Sequence, residues 1–204
     1  ISLSGQSILM HYRLGQCIAE AVDDLNRRAV VIASGDLSHR LKEDGPYGFA
    51  PEGPEFDKAL TETLSQGDFQ ALLSLSPELA QNAGECGWRS FQIMAGTLDR
   101  KAVAPSLLSY EGPFGVGYAV ASFRVTGTDP GRNLGEKYDT ARRQALADAQ
   151  KQEDAYVRLA RLSLETFVRT GKRVTPPDGL PSELKHLRAG AFVLDKHLPA
   201  AAGI

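Results

Sequence analysis

The residues of this sequence best suited to chemistry lie in one short run, Gly35-Asp36-Leu37-Ser38-His39. An unbroken apolar stretch, Ala29 to Ala33, precedes it and has the pattern of a strand covered on both faces in a parallel sheet. Ligands of open α/β sheets bind beyond the carboxyl ends of the strands, so His39 is expected to point into a cleft. Its imidazole can move a proton in either direction near neutral pH, and Asp36 could orient the ring. The alternative is that Asp36 only caps a helix and His39 is a hydrogen-bonded polar residue at a sheet edge.

A second candidate is the run Asn82-Ala83-Gly84-Glu85-Cys86-Gly87-Trp88. It places a carboxylate beside a thiol, between glycines that let the backbone approach closely. Such a pair could offer one oxygen or sulfur ligand to a transition metal. The alternative is a helix connection with a small buried Cys86 and an exposed Glu85. The histidines outside the first run have no partner at ligand spacing and receive no role: His11, His186 and His197.

The elements that must position these residues are mostly helical. Apolar residues from Leu14 to Leu25 follow the helical period, and four further helices are predicted at about 55–65, 68–75, 77–83 and 88–98. Strands are predicted at 103–110 and 116–125, joined by a glycine-rich turn. The long loop from Ser34 to Pro54 is rich in glycine and proline but carries aromatic residues, which favours a functional loop.

A polar stretch separates this region from the rest of the chain. Residues 126–154 are predicted to form a linker, and an amphipathic helix ended by Gly171 follows it. The predicted organisation is therefore a domain at 1–125, a linker at 126–154 and a second segment at 155–204.

Composition excludes several classes of protein. The 204 residues are 42% hydrophobic and 24% charged, which is ordinary for a globular protein. The net charge of −2 and the scattered basic residues give no general attraction to nucleic acid, and no apolar run is long enough to cross a membrane. Two cysteines without metal-binding or disulfide spacing favour a reducing compartment, so we expect a cytoplasmic protein.

Three motifs carry a family resemblance. Residues 31–41, the loop residues Gly45-Pro46-Tyr47-Gly48 with Gly53-Pro54-Glu55-Phe56-Asp57, and residues 82–87 closely resemble the catalytic half of LigB-type class III extradiol dioxygenases and Memo proteins. The resemblance covers residues 1–125. It implies an α/β fold, a fragment of a three-layer-like domain with a mixed sheet. In that family an iron(II) ion held by two histidines and a carboxylate binds a catechol together with oxygen.

The resemblance also implies roles for individual residues. His39 is similar to the histidine that handles substrate protons, and Asp36 accompanies it. Glu85 or Cys86 looks like a metal ligand, because Memo-type members carry a cysteine where the dioxygenases carry a carboxylate. The candidate substrate-binding residues are Ser38, Tyr47 and Trp88. The implied metal is Fe(II), with copper as the alternative.

The sequence departs from the family pattern at its beginning. The two metal-binding histidines of the family lie upstream of the proton-handling one, where this chain has only His11 on what looks like a packed helix. We therefore expect the chain to begin inside the domain, to bind iron poorly and to be inactive as a fragment. An uncovered sheet edge would favour pairing with another copy of the chain.

The segment from Ala155 onward carries a second resemblance. Arg158-Leu159-Ala160-Arg161, Leu164-Glu165 and Gly190-Ala191-Phe192-Val193 resemble the start of AMMECR-type domains, which implies an incomplete α+β segment. Fusion of the two families is similar to an architecture found beside radical-SAM proteins, which implies such a partner.

The expected function is a Memo-like or LigB-type metal-dependent oxidoreductase. Its dioxygenase-like activity would act on a small substrate, with aromatic compounds as one option. The alternative is a non-enzymatic scaffold or binding component that works with a radical-SAM protein.

Overall fold

A computed structural model describes residues 1–174, which divide into two compact units between Ala141 and Arg142. The described chain is a mixed α/β structure, which confirms the predicted class. In chain order its elements are α1 (Ile8–Asp24), α2 (Glu52–Gln66), α3 (Phe69–Ser74), α4 (Pro77–Ala83), α5 (Trp88–Thr97), β1 (Lys101–Glu111), β2 (Tyr118–Thr128), a 3₁₀ turn (Pro130–Arg132), α6 (Leu134–Lys151) and α7 (Ala155–Thr170).

Local signals explain where the short helices begin and end. The Asp68 and Ser76 side chains each accept a hydrogen bond from a backbone N–H in the first turn of α3 and α4. Pro77 occupies the first position of α4, where its missing N–H costs nothing. Gly67 and Gly84 end α2 and α4 in the left-handed conformation. The four helices predicted between residues 55 and 98 are thereby confirmed.

The strands β1 and β2 form an antiparallel pair whose register runs from Lys101 opposite Thr128 to Glu111 opposite Tyr118. The predicted hairpin is confirmed, and the glycine-rich segment between the strands is its turn. Along β2, Ala119, Ala121 and Phe123 alternate with exposed residues and pack against the core.

The core of the first unit lies among the helices. Phe56 and Leu60 of α2, Phe69 of α3 and Trp88 of α5 are almost fully buried. Helices α1 and α5 pack closely at two glycines, because a β-carbon at Gly15 or Gly96 would lie 2.0 Å from a backbone oxygen of the other helix. This contact fixes α5, which follows directly after the Glu85–Gly87 loop.

The prediction of a buried strand at residues 29–33 is wrong for this structure. The segment has no regular hydrogen bonding, and Val30 and Ile32 are 90% and 85% exposed. A buried strand needs neighbouring strands, whereas the two strands of residues 1–174 pair with each other. Asp36 also caps no helix, since the next one, α2, begins at Glu52.

The described part of the second unit contains the end of α6 and all of α7. Asp154 caps α7 and Gly171 ends it, which confirms the predicted amphipathic helix. Arg161 donates two hydrogen bonds of 2.7 Å to the two oxygens of Glu153. Helix α6 occupies much of the predicted linker. The predicted domain boundaries, 1–125, 126–154 and 155–204, stay a prediction. His186, His197 and the motif at 190–193 lie outside the described residues.

Among residues 1–174, no helix combines the length and the apolar character that crossing a bilayer requires.

We predict that Gly96→Ala destabilises the chain by about 1–3 kcal/mol, because the new methyl group must force α1 and α5 apart. The measurement is the free energy of unfolding in urea. Gly127→Ala is the matched control, since a β-carbon there meets no atom within 4 Å. Equal stability of the two variants would contradict the close packing.

Candidate metal centre

Three potential metal ligands from the two predicted runs meet in one cluster. One ligand atom each of Asp36, His39 and Cys86 lies within 4.8 Å of the others. The Nε2 of His39 lies 3.6 Å from a carboxylate oxygen of Asp36, too far for a hydrogen bond. That nitrogen is buried and has no hydrogen-bond partner within the described chain. A buried polar atom without a partner is costly, so the cluster has the character of a site for a ligand.

Backbone contacts hold the two loops of the cluster together. The N–H groups of Gly87 and Cys86 donate to the carbonyl oxygen of Asp36 at 2.9 and 3.4 Å, and the Asp36 N–H lies 3.2 Å from the Cys86 sulfur. Gly35 has a φ of +154°, and a β-carbon there would lie 2.3 Å from the Cα of Gly87. Glycine at position 35 is therefore required for the loops to touch.

The loop that carries His39 is fixed from several sides. The Ser38 N–H donates to Asp57 at 2.7 Å, and both the Ser38 hydroxyl and the His39 N–H donate to the carbonyl oxygen of Ala83 at 2.9 and 3.1 Å. The ring of Tyr47 stacks on the imidazole of His39 with centroids 5.0 Å apart. The imidazole is thus held by its backbone and by one aromatic face.

Glu85 and Cys86 differ in their surroundings. The Glu85 carboxylate accepts a hydrogen bond of 2.6 Å from the Trp88 N–H at the start of α5, and burial raises its pKa. Cys86 is exposed and its sulfur belongs to the cluster. This is the reverse of the alternative in which the thiol is buried and the carboxylate exposed. Which of the two binds a metal stays a prediction, and the geometry favours Cys86.

The candidate substrate-binding residues lie in different environments. Tyr47 is 59% exposed beside His39, so a ligand at the cluster could reach it. Ser38 is fully buried, and Trp88 is in the core with its Nε1 donating to the carbonyl oxygen of Leu72. Both support the frame of the site in this structure, and direct contact with a substrate stays a prediction for them.

Sequence reasoning missed a buried pair beneath the His39 loop. Asp57 on α2 is 1% exposed, and its second carboxylate oxygen accepts a hydrogen bond of 2.8 Å from the Tyr110 hydroxyl. Burial raises the pKa of Asp57, and burial together with Asp57 raises the pKa of Tyr110. The available signal was spacing, because Asp57 shares the buried face of α2 with Leu60 and Leu64.

His11 takes no part in the cluster of Asp36, His39 and Cys86. It is 3% exposed on α1, with Nδ1 3.1 Å from the Ser7 carbonyl oxygen, and it is not a member of the cluster.

The cluster fits a transition metal. Imidazole, thiolate and carboxylate are ligands of iron, copper and zinc, whereas magnesium and calcium prefer oxygen atoms throughout. The unpartnered Nε2 of His39 is the observation within this structure that supports the fit. With Cys86 as the ligand and His39 kept for proton transfer, coordination positions on the metal would stay open for other ligands.

Comparison with known proteins supports the resemblance to LigB-type dioxygenases. Residues 2–121 match the family model described as the catalytic LigB subunit of aromatic ring-opening dioxygenase. The chain therefore belongs to the LigB family. It is also similar to Protein CA_C1420 of Clostridium acetobutylicum, with 40% identity over 194 residues that make up 95% of this chain and 41% of the relative. The chain thus spans about two fifths of the relative's length.

We predict that the free energy of unfolding of the wild-type chain, minus that of Glu85→Gln, decreases as the pH rises from about 4.5, the ordinary pKa of glutamate. Burial raises the pKa of Glu85 in the folded chain, so the native state holds this proton more tightly than the unfolded state. That contribution is complete below the unfolded pKa and is lost as the pH rises through the folded one. The glutamine stays neutral and has no such dependence.

Urea unfolding at several pH values measures this difference. Glu78→Gln is the control, because Glu78 is an exposed carboxylate in the first turn of α4. A constant offset for Glu85→Gln across the pH range would contradict the prediction.

Proposed function

We propose that the chain provides the thiolate and the proton-handling part of a metal-dependent, dioxygenase-like oxidoreductase. The observation that carries the proposal is the meeting of Asp36, His39 and Cys86 in a chain of the LigB family. A small substrate with an aromatic ring fits best, because the exposed Tyr47 ring beside His39 offers a stacking surface. Iron(II) is the proposed metal, and copper is the alternative.

Each residue of the cluster has a distinct proposed task. Cys86 holds the metal through its sulfur. When bound, the metal would supply Lewis acidity and one-electron chemistry. His39 accepts a substrate hydroxyl proton at Nε2 and later returns it, and this atom is free of other hydrogen bonds in the described chain. Asp36 stabilises the protonated imidazole at 3.6 Å and limits its rotation.

The finer family assignments belong to the same proposal. Cys86 at the cluster supports a Memo-like rather than a purely dioxygenase-like ligand set. The sequence from Ala155 supports an AMMECR-like second segment, and with it a radical-SAM protein as a partner in the cytoplasm. Pairing with a second copy of the chain stays a prediction.

We predict that Cys86→Ser abolishes thiolate coordination at the cluster. Cobalt(II) added to the wild-type chain should produce the intense near-ultraviolet absorption of a cobalt–thiolate bond, and the variant should lose it because serine offers no soft ligand.

Cys17→Ser is the matched control, since Cys17 is also a free and exposed cysteine but lies on α1. Retained absorption in Cys86→Ser, or its loss in Cys17→Ser, would reject Cys86 as the ligand. A full-length protein that binds no metal would favour the non-enzymatic binding component.

We predict that, in the full-length protein, His39→Ala keeps its metal but loses about 10²- to 10⁴-fold in turnover, the usual contribution of a positioned acid–base group. Oxygen uptake by the iron-loaded full-length protein with catechol and substituted catechols measures turnover, and metal analysis measures occupancy. His11→Gln is the control, because His11 is a buried histidine outside the cluster.

Two results would contradict this assignment. Loss of metal in His39→Ala would make His39 a ligand, and unchanged oxygen uptake would remove it from catalysis. Absence of uptake in the metal-loaded, wild-type full-length protein would again favour the binding component.

A further inference from the structure

The loop from Leu37 to Leu41 has a hydrogen-bond acceptor for every one of its backbone N–H groups. Leu37 and Leu41 donate to Gly117 and Gly115 in the hairpin turn, at 2.9 and 3.0 Å. His39 donates to the carbonyl oxygen of Ala83, and Arg40 donates to the hydroxyl of Ser38. The remaining N–H, that of Ser38, donates to the carboxylate of Asp57 at 2.7 Å. Asp57 is thus the one ionisable side chain among these acceptors.

Asp57 links three separate segments of the chain. It lies on α2, it binds the loop next to His39 through one oxygen, and it binds Tyr110 of β1 through the other at 2.8 Å. The hairpin turn packs closely against the same carboxylate, because a β-carbon at Gly117 would lie 2.0 Å from its second oxygen. The Gly117 N–H in turn donates to the Ser38 carbonyl oxygen at 2.7 Å.

The two hydrogen bonds explain why this residue is a carboxylate. An asparagine has only one acceptor oxygen, so it could accept a hydrogen bond from the Ser38 N–H or from the Tyr110 hydroxyl but not from both. Asp57 acts on His39 indirectly, through the backbone of Ser38, and supporting residues outside the ligand set are common around metal sites.

We propose that Asp57 is a positioning residue of the candidate metal centre, which fixes the His39 loop against the Cys86 loop through Ser38 and is itself held by Tyr110. This inference rests on the proposed function, because it assigns the positioned cluster a role in binding metal. It adds α2 and β1 to the parts of the chain on which the site depends.

The test compares two Tyr–Asp pairs in the same unit. Asp57→Asn and Tyr110→Phe alter the pair beneath the site. Asp99→Asn and Tyr12→Phe alter a similar buried pair, in which the Tyr12 hydroxyl donates to Asp99 at 2.5 Å. Asp99 also accepts hydrogen bonds from Gln16 of α1 and Leu134 of α6, so it joins elements that contribute no residue to the cluster.

Two readouts are taken on each purified variant. Cobalt(II) titration, followed by the thiolate absorption, gives the affinity of the cluster. Amide hydrogen exchange at Ser38 and His39 gives the order of the loop without any metal. Asp57→Asn should speed exchange at both amides. Because the same loop positions Cys86 through the backbone of Asp36, the variant should also weaken cobalt binding about 10- to 100-fold, the usual effect of removing a residue that supports a metal ligand. Tyr110→Phe should shift both readouts in the same direction by less.

The controls decide whether these effects are specific. Asp99→Asn and Tyr12→Phe should lower the melting temperature but leave cobalt affinity and exchange at Ser38 and His39 unchanged. The inference is overturned if both aspartate variants behave alike, or if Asp57→Asn matches the wild-type chain. If Asp57→Asn does not fold, Tyr110→Phe against Tyr12→Phe makes the same comparison.

The two readouts also distinguish a failure of this inference from a failure of the proposed function. If the wild-type chain binds no cobalt, the metal centre fails while the exchange arm still tests the positioning of the loop. If cobalt binds through Cys86 but Asp57→Asn changes neither readout, the metal centre stands and the role of Asp57 fails.

Discussion

The candidate site depends on the contact between two loops at the backbone of Asp36. Its carbonyl oxygen accepts two hydrogen bonds from the Cys86 loop, and the close approach of Gly35 to Gly87 leaves no room for a side chain at position 35. This contact brings an imidazole, a carboxylate and a thiol from distant parts of the sequence within 4.8 Å. Most of it is made by backbone atoms, and the Cys86 sulfur takes part only as the acceptor of the Asp36 N–H at 3.2 Å.

The rest of the first unit keeps this contact in place. Close packing of α1 on α5 at Gly15 and Gly96 sets the position of α5, and the Glu85 carboxylate ties the Cys86 loop to the first turn of that helix. On the other side, Asp57 ties the His39 loop to α2. Each loop is thus anchored to a helix by a carboxylate. Burial raises the pKa of both carboxylates, so each anchor is kept at some cost in stability near neutral pH.

Local sequence signals predicted the fold where the physical cause is local. The helices from α2 to α5 were predictable because caps such as Asp68 and Ser76 and the terminal glycines act within one turn of the chain. The segment 29–33 was not, because an apolar run becomes a strand only when other strands lie beside it. Sequence alone brought out His39 and Cys86 through their motifs. It missed Asp57, whose role depends on contacts with Ser38 and Tyr110 far along the chain.

The position of Cys86 bears on which residue would bind the metal in the proposed site. Of the adjacent candidates Glu85 and Cys86, Glu85 is the less free to turn, because its carboxylate accepts a hydrogen bond from the Trp88 N–H. Turning it toward the cluster would leave the first turn of α5 without this partner and would move a group on which the loop depends. The exposed thiol of Cys86 needs no such rearrangement, because its sulfur already lies with His39 and Asp36. If Cys86 is the ligand, as proposed, its sulfur would favour metals that accept thiolate over those that require oxygen.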